Sequence, residues 1–173
     1  MRPPADGFAI RRPALTDAAA FRSAVADVAS ERTWLATVDG FALEQVQAFL
    51  LKVVEADLPQ LFAEADGEII GWCDILPGPA PGFMHVGTVG MGVRAPWRGR
   101  GIGKRLLVQC IALARASALE KIELEVFGDN APAIHLYQSV GFTPEGVRVR
   151  GRKLDGRYQD VLAFALWLKS PGA

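Results

Sequence analysis

The sequence predicts an α/β domain of the α+β kind, with a mixed, mostly antiparallel sheet of about seven strands and helices on both faces. Three observations predict it. Segments of strand and helix period follow one another in the order β-α-α-β-β-β-α-β-α-β-β. Asp66-Gly67 and Asp155-Gly156, dipeptides that favour two-residue hairpin turns, each join two neighbouring strands. Strand-helix-strand crossovers, which parallel pairing requires, occur only in the middle of the chain.

Phe8 to Arg12 reads as a short strand halted by Pro13. Thr16 and Asp17 offer caps for a helix to about Ser30, with Phe21, Val25 and Val28 on one face. After the stretch Glu31 to Gly40, residues Val46, Phe49, Leu50, Val53 and Val54 recur at helical spacing and predict a second amphipathic helix. Leu61 to Ala65 and Glu68 to Leu76 read as hairpin strands, and Pro77 to Gly82 as a loop. Val86 to Val93 is a strand that carries Gly87, Gly90 and Gly92. Glycine weakens a strand, so three of them mark a bulge or a close backbone approach.

A helix from about Gly103 to Ala118 follows a glycine-rich turn. Lys121 to Phe127 alternates Ile122, Leu124 and Val126 with Glu123 and Glu125, the pattern of a strand. Asp129 and Asn130 can cap a helix over Ala131 to Val140, which carries Pro132 in its tolerant first turn and ends at Gly141. Gly146 to Lys153 and Arg157 to Leu168 are the closing strands. No repeat, low-complexity tract or linker interrupts the chain, so residues 1–173 are read as a single domain.

Such a length can bury a real core and leave a cleft. Lys and Arg number 19 against 19 Asp and Glu, so the chain lacks the basic excess of a nucleic-acid or membrane-surface binder, and neither partner is expected. No apolar run approaches the ~18 residues of a membrane-spanning helix. Met1 to Gly7 lacks the apolar stretch of a signal peptide, so a cytoplasmic location is expected. Cys73 and Cys110 are too few and too far apart for a disulfide framework or a zinc site, and no metal is expected.

The chemistry concentrates at Arg98-Gly99-Arg100-Gly101-Ile102-Gly103, between a strand and a helix. Glycines there let backbone N–H groups converge on an anion at the positive end of the helix dipole. Arg98, Arg100 and Lys104 add charge suited to phosphates. Spacing separates the loops that could do this. A Walker loop needs glycine where Arg98 stands and Ser or Thr where Arg105 stands. A dinucleotide fingerprint needs its third glycine at Lys104 or Leu106. What fits is [Arg/Gln]-x-x-Gly-x-[Gly/Ala], met by Arg98, Gly101 and Gly103.

That pattern resembles the coenzyme A pyrophosphate loop of the GNAT superfamily of N-acetyltransferases. The stretch Val93 to Gly103 is similar to the superfamily's strand-to-loop sequence. Asn130-Ala131-Pro132-Ala133-Ile134-His135-Leu136-Tyr137 is similar to its second signature, N-x-x-A-x-x-x-Y, and Gly141-Phe142 follows. Glu145-Gly146 with Gly156-x-Tyr158-x-Asp160 resembles a bacterial subgroup that includes L-amino-acid and ribosomal-protein N-acetyltransferases.

The resemblance implies acetyl-CoA as donor, coenzyme A as product, and a primary amine as acceptor, whether an amino acid, a small amine or a protein N-terminus. The amine would attack directly, through a tetrahedral intermediate. An acyl-CoA-binding or sensing module without turnover is the alternative. Gly99 to Lys104, Arg98 included, would grip the pyrophosphate, and Met91, Gly92 and Val93 the pantetheine arm. Asn130 and Ala133 would complete the cofactor site, with Tyr137 as general acid to the departing thiolate. The resemblance also brings strand-exchanged homodimers into consideration.

The general base is not marked by the motifs. Some family members use a carboxylate on the strand before the bulge, where His85-Val86-Gly87-Thr88-Val89 has none. His85, on the strand parity of Met91, is the first candidate, because imidazole is the side-chain group suited to proton transfer near neutral pH. Glu31 and Glu44 could act through a water chain, and Glu31 is also placed with the acceptor. Arg148, Arg150 and Arg152 alternate along a strand, either as a solvated face or with one, taken as Arg148, pairing a carboxylate on the acceptor. Tyr158 and Asp160 shape the acceptor pocket or close the final hairpin.

Overall fold

The structure is a computed structural model, described for residues 7–169. All but the last of the residues whose composition argued against a signal peptide lie outside that range. The elements are β1 (Ala9–Arg11), α1 (Ala18–Ser30), α2 (Leu43–Glu55), β2 (Gln60–Ala65), β3 (Glu68–Pro77) and β4 (Val86–Val93), then α3 (Ile102–Arg115), β5 (Lys121–Phe127), α4 (Ala131–Ser139), β6 (Thr143–Leu154) and β7 (Arg157–Trp167). Their order is the one the sequence predicts. The strands form a seven-stranded sheet, β1-β2-β3-β4-β5-β7-β6. β4 and β5 pair in parallel, whereas β1–β2, β2–β3, β5–β7 and β6–β7 are antiparallel. The residues fall into two compact units, one taking the chain to Ile75 with Gly90–Ala114, the other Leu76–Val89 with the chain from Arg115 on.

In the first unit, Asp66 (φ 50°) and Gly67 (φ 81°) turn β2 into β3 through two left-handed residues, as an Asp-Gly hairpin requires. Phe21 of α1 is the hub of the core, its ring 4.9 Å from that of Phe62, 5.8 Å from Trp72 and 6.1 Å from Phe49. Burying each such ring contributes about 1.5–3 kcal/mol. α2 buries Val46, Leu50 and Val53, but Val54 is exposed, so its apolar stripe is narrower than the spacing predicts. Asp17 precedes α1 but does not cap it. Its carboxylate accepts instead from Arg11, at 2.7 and 2.9 Å, and from the Ala14 N–H at 2.7 Å. α3 buries Ile102, Leu106, Leu107, Cys110, Ile111 and Ala114 along one stripe. Both cysteines are free and buried, and the Cys110 thiol donates to the Pro59 carbonyl at 3.4 Å.

In the second unit, β5 buries Ile122, Leu124 and Val126 as its alternation predicts, and pairs with β7 along its whole length. The parallel pairing of β4 with β5 runs from Val86–Lys121 to Thr88–Glu123. Gly141, at φ 101°, ends α4. Among the described residues, no helix is long and apolar enough to cross a membrane, and no group of three or more His, Cys, Asp or Glu is placed to hold a metal ion.

Candidate active site

β4 ends at Val93 and α3 begins at Ile102. Between them the chain passes twice through left-handed backbone, at Gly99 (φ 75°) and Gly101 (φ 77°). A Cβ at either would meet nothing within 4 Å, so conformation rather than crowding demands glycine there. The first α-helical bond of α3 runs from the Arg105 N–H to the Gly101 carbonyl, at 3.1 Å. N–H groups ahead of it, on Ile102, Gly103 and Lys104, have no carbonyl to reach within the helix. They stand at its positive end, where the N–H groups of a helix suit a pyrophosphate. Lys104 and Arg100 are exposed there, Arg100 lying 4.8 Å over the Trp97 ring.

Arg98 serves this loop differently from what the motif suggests. Its guanidinium donates to the two Glu31 oxygens at 2.7 and 2.5 Å and to the Val93 carbonyl at 2.8 Å, and it lies 5.7 Å over the Trp34 ring. Glu31 also accepts from the Trp34 indole N–H at 2.6 Å. The side chain of Arg98 is therefore an anchor between the end of β4 and the residues after α1. Arg98 holds the Glu31 carboxyl below its ordinary range, with help from Trp34 and against partial desolvation. Both oxygens of Glu31, placed with the acceptor on sequence grounds, are thus engaged within the chain.

The glycines of β4 have a specific cause. A Cβ on Gly92 would run into the Trp72 ring, and one on Gly90 would lie 2.7 Å from Asp74 Oδ1. Trp72 and Asp74 stand two apart on β3, as Gly90 and Gly92 stand on β4, so each glycine clears room for one large side chain. Both side chains line a cavity of about 550 Å³ whose other walls come from α1, Leu35 to Phe41, α2, Gly90 and Met91. The core thus supplies one wall, since Phe21, Val25, Val46 and Trp72 belong to the cluster and the cavity alike.

Asp74 is 8 % exposed, and the sequence pattern gave it no role. Burial pushes its carboxyl up to about 7. The Gln60 side chain, opposite it in the β2–β3 register, and the Gly90 backbone pull the other way. Gln60 is close enough to damp the rise, though its amide falls short of a well-formed hydrogen bond. The one available signal was a charge inside the apolar run Ile69-Ile70-Gly71-Trp72-Cys73-Asp74-Ile75.

In the second unit, Tyr137 is 7 % exposed and packs edge-on against Phe142, with ring centroids 5.9 Å apart. Asn130 caps α4, its Oδ1 accepting from the Ala133 N–H at 3.2 Å. His135 is on the surface. His85 is exposed and lies in the turn before β4, not on the strand, which removes the parity argument for it. Arg148 pairs with the exposed Glu125 at 2.5 Å, and Tyr158 is itself exposed, with the charged groups of Arg150 and Lys153 at 5.3 and 4.9 Å from its ring. Asp160 accepts from the Arg150 N–H at 2.7 Å. These contacts lie within the β5, β6 and β7 strands and their hairpin.

A model of the acetyltransferase (GNAT) family matches residues 27–142, well over half of the chain. The chain belongs to the GNAT acetyltransferase family. Membership makes it an acetyl-CoA-dependent N-acetyltransferase, an acyltransferase. It is 35% identical to an L-amino acid N-acetyltransferase of Escherichia coli over 114 residues, 64% of this chain and 70% of that one. It is 38% identical over 96 residues to an N-alpha-acetyltransferase of Mycobacterium tuberculosis, a match spanning 54% of this chain and 58% of that one. A GNAT superfamily phosphinothricin acetyltransferase from Sinorhizobium meliloti, solved in complex with acetyl-CoA, shares the fold at a TM-score of 0.88 and 15% identity, covering 96% of this chain and 91% of its own.

Proposed function

We propose that this chain, as a single cytoplasmic catalytic domain, moves an acetyl group from acetyl-CoA to a primary amine by direct attack of the amine nitrogen on the thioester carbonyl. The observation that carries the reading is the left-handed pair Gly99 and Gly101, opening the N-terminus of α3 to a pyrophosphate. Bound acetyl-CoA supplies an acetyl group already activated as a thioester. Backbone N–H groups from Gly99 to Lys104 hold its phosphates. The backbone of Met91, Gly92 and Val93 receives the pantetheine amides in the manner of an added strand and directs an N–H at the carbonyl. Asn130 and Ala133 flank that arm, and the Tyr137 hydroxyl gives its proton to the departing sulfur. Acceptors of the reading are amino acids, small amines and protein N-termini; the names of the two relatives support it with L-amino acids in one case and an N-alpha position in the other.

Thiol release from acetyl-CoA across a panel of such amines tests the proposal. Turnover with at least one is expected. Coenzyme A binding without turnover on any amine would replace the reading with that of an acyl-CoA-sensing module. Tyr137→Phe is expected to lower kcat about 100-fold with acetyl-CoA affinity unchanged, and an unaltered kcat removes Tyr137 from the acid's role.

A further inference from the structure

We propose that the cavity accepts a primary amine with a bulky apolar group and no carboxylate, and that the Asp74 carboxylate receives its ammonium end and accepts its proton. The inference rests on the acetyltransferase reading, narrows its acceptors to one class and adds a base.

The lining argues for the class. Phe21, Val25, Phe41, Phe49 and Trp72 make walls suited to an aromatic or branched aliphatic group. Polar side chains in the lining are Thr37, Gln45 and Asp74, and among the described residues no lysine, arginine or histidine joins them. A free amino acid would carry its carboxylate in with no counter-charge, next to the acid that its own amine needs. Burying a charge without a partner is strongly unfavourable. An amine without a carboxylate brings one positive end, and the cavity offers one negative group.

Position argues for the base. Asp74 touches Gly90, and the next residue, Met91, lines the same cavity. An amine held at Asp74 therefore lies beside the β4 backbone that the proposed function assigns to the thioester. Among the described residues of the lining, Asp74 is the one titratable group. The neighbouring ionisable groups are the buried thiols of Cys73 and Cys110. Contact with Cys110, then burial, keeps the Cys73 thiol well above its ordinary range, so it stays neutral. Asp74, raised to about 7 by burial, can exchange a proton near neutral pH, where a general base works best.

The step balances. The ammonium gives one proton to Asp74, which frees the nitrogen lone pair to attack the carbonyl carbon. The C–N bond forms and the C–S bond breaks, with the electron pair leaving on sulfur. The attacking nitrogen then loses a second proton. One of the two protons ends on the coenzyme A sulfur and the other leaves from Asp74 to solvent.

The test compares 2-phenylethylamine, L-phenylalanine and ethanolamine as acceptors for the intact protein with acetyl-CoA. The expected order puts 2-phenylethylamine at least about tenfold ahead of both in kcat/KM. Asp74→Asn should lower kcat about 100-fold or more and abolish the acidic limb of the pH–rate profile near 7, with coenzyme A affinity unchanged. Thr37→Arg, which adds a cation to the lining, should shift the preference towards L-phenylalanine and shows the class independently of Asp74. Preference for L-phenylalanine in the unaltered protein, or an Asp74→Asn variant with wild-type rate and pH profile, overturns the inference and leaves the acetyltransferase reading standing. No turnover on any amine despite coenzyme A binding removes both.

Discussion

The donor loop and the cavity are built in opposite ways from the same unit. The loop is one run of consecutive residues, Arg98 to Lys104, and the proposed function has it work through backbone N–H groups. Its requirements fall on single positions: left-handed φ at 99 and 101, and a helix starting at 102. The cavity is assembled from α1, the segment after it, α2, β3 and β4, and its chemistry rests on one side chain, Asp74. Backbone recognition leaves its mark in local spacing, because only glycine meets such conformations without strain. A pocket of side chains leaves its mark in long-range pairing, which a linear reading does not display.

The largest effect expected from this difference is on stability against pH. Asp74 titrates near 7 in the folded chain and about 4 when unfolded. Folding therefore favours its protonated form. That contribution is complete below the unfolded value and is lost as pH rises through about 7. The full loss amounts to about 4 kcal/mol, because each tenfold change in proton affinity on folding corresponds to about 1.4 kcal/mol. Asn has no charge to bury, so Asp74→Asn should gain on the wild type by about 2–3 kcal/mol between pH 5 and pH 8. Urea midpoints at the two pH values measure it. A gap that does not change with pH would mean that Asp74 is solvated, and the contrast between an open loop and a dry cavity would fail.

The loop responds to a different change. Gly101→Val forces a β-branched residue to φ near 77°, a strain of about 1–3 kcal/mol unless the backbone shifts. Either outcome turns N–H groups away from the phosphates. KM for acetyl-CoA should rise about 10- to 100-fold, since about 1.4 kcal/mol is a factor of ten. The pH response of stability at Asp74 should stay as in the wild type. Steady-state kinetics with acetyl-CoA as the varied substrate decides it. An unchanged KM would show that the donor's phosphates bind elsewhere.

Legibility follows the same divide. β4 and β5 have the bounds expected of them, β5 from its alternation, and the two Asp-Gly turns join the strands expected of them. Gly90 and Gly92 could be read as special without the reason being readable. The reason is Trp72 and Asp74 on β3, and the i, i+2 spacing of the glycines matches theirs. Asp17 has cap chemistry, but Arg11 takes its carboxylate, and only the folded chain brings Arg11 there. His85 fitted an alternation extrapolated one residue too far, because the strand begins at Val86. For the two glycines and for Asp17 the deciding partner comes from beyond the local pattern.

Glu31 tests the boundary between the two kinds of region, and its effect should be the smallest. The motif reading sees Arg98 as part of a phosphate loop, yet the guanidinium is tied to Glu31, which lies far away in sequence. Local motif and long-range contact meet in that pair. Glu31 and Arg98 are each about one-third exposed at the side chain, so solvent screens them and the pair should contribute no more than about 1 kcal/mol. The Glu31 carboxyl is held below its ordinary value, chiefly by Arg98, so its contribution is present above that value and is lost as pH falls through the depressed one. Glu31→Gln should thus cost under about 1 kcal/mol at pH 7, with the deficit shrinking in acid. It should raise KM for acetyl-CoA only about two- to threefold, because the loop loses an anchor and keeps its N–H groups. A double-mutant cycle with Arg98→Gln isolates the pair from the Trp34 contact that Glu31 also makes. A coupling near zero would make the loop self-sufficient, whereas a KM change as large as that of Gly101→Val would make the anchor part of the donor site.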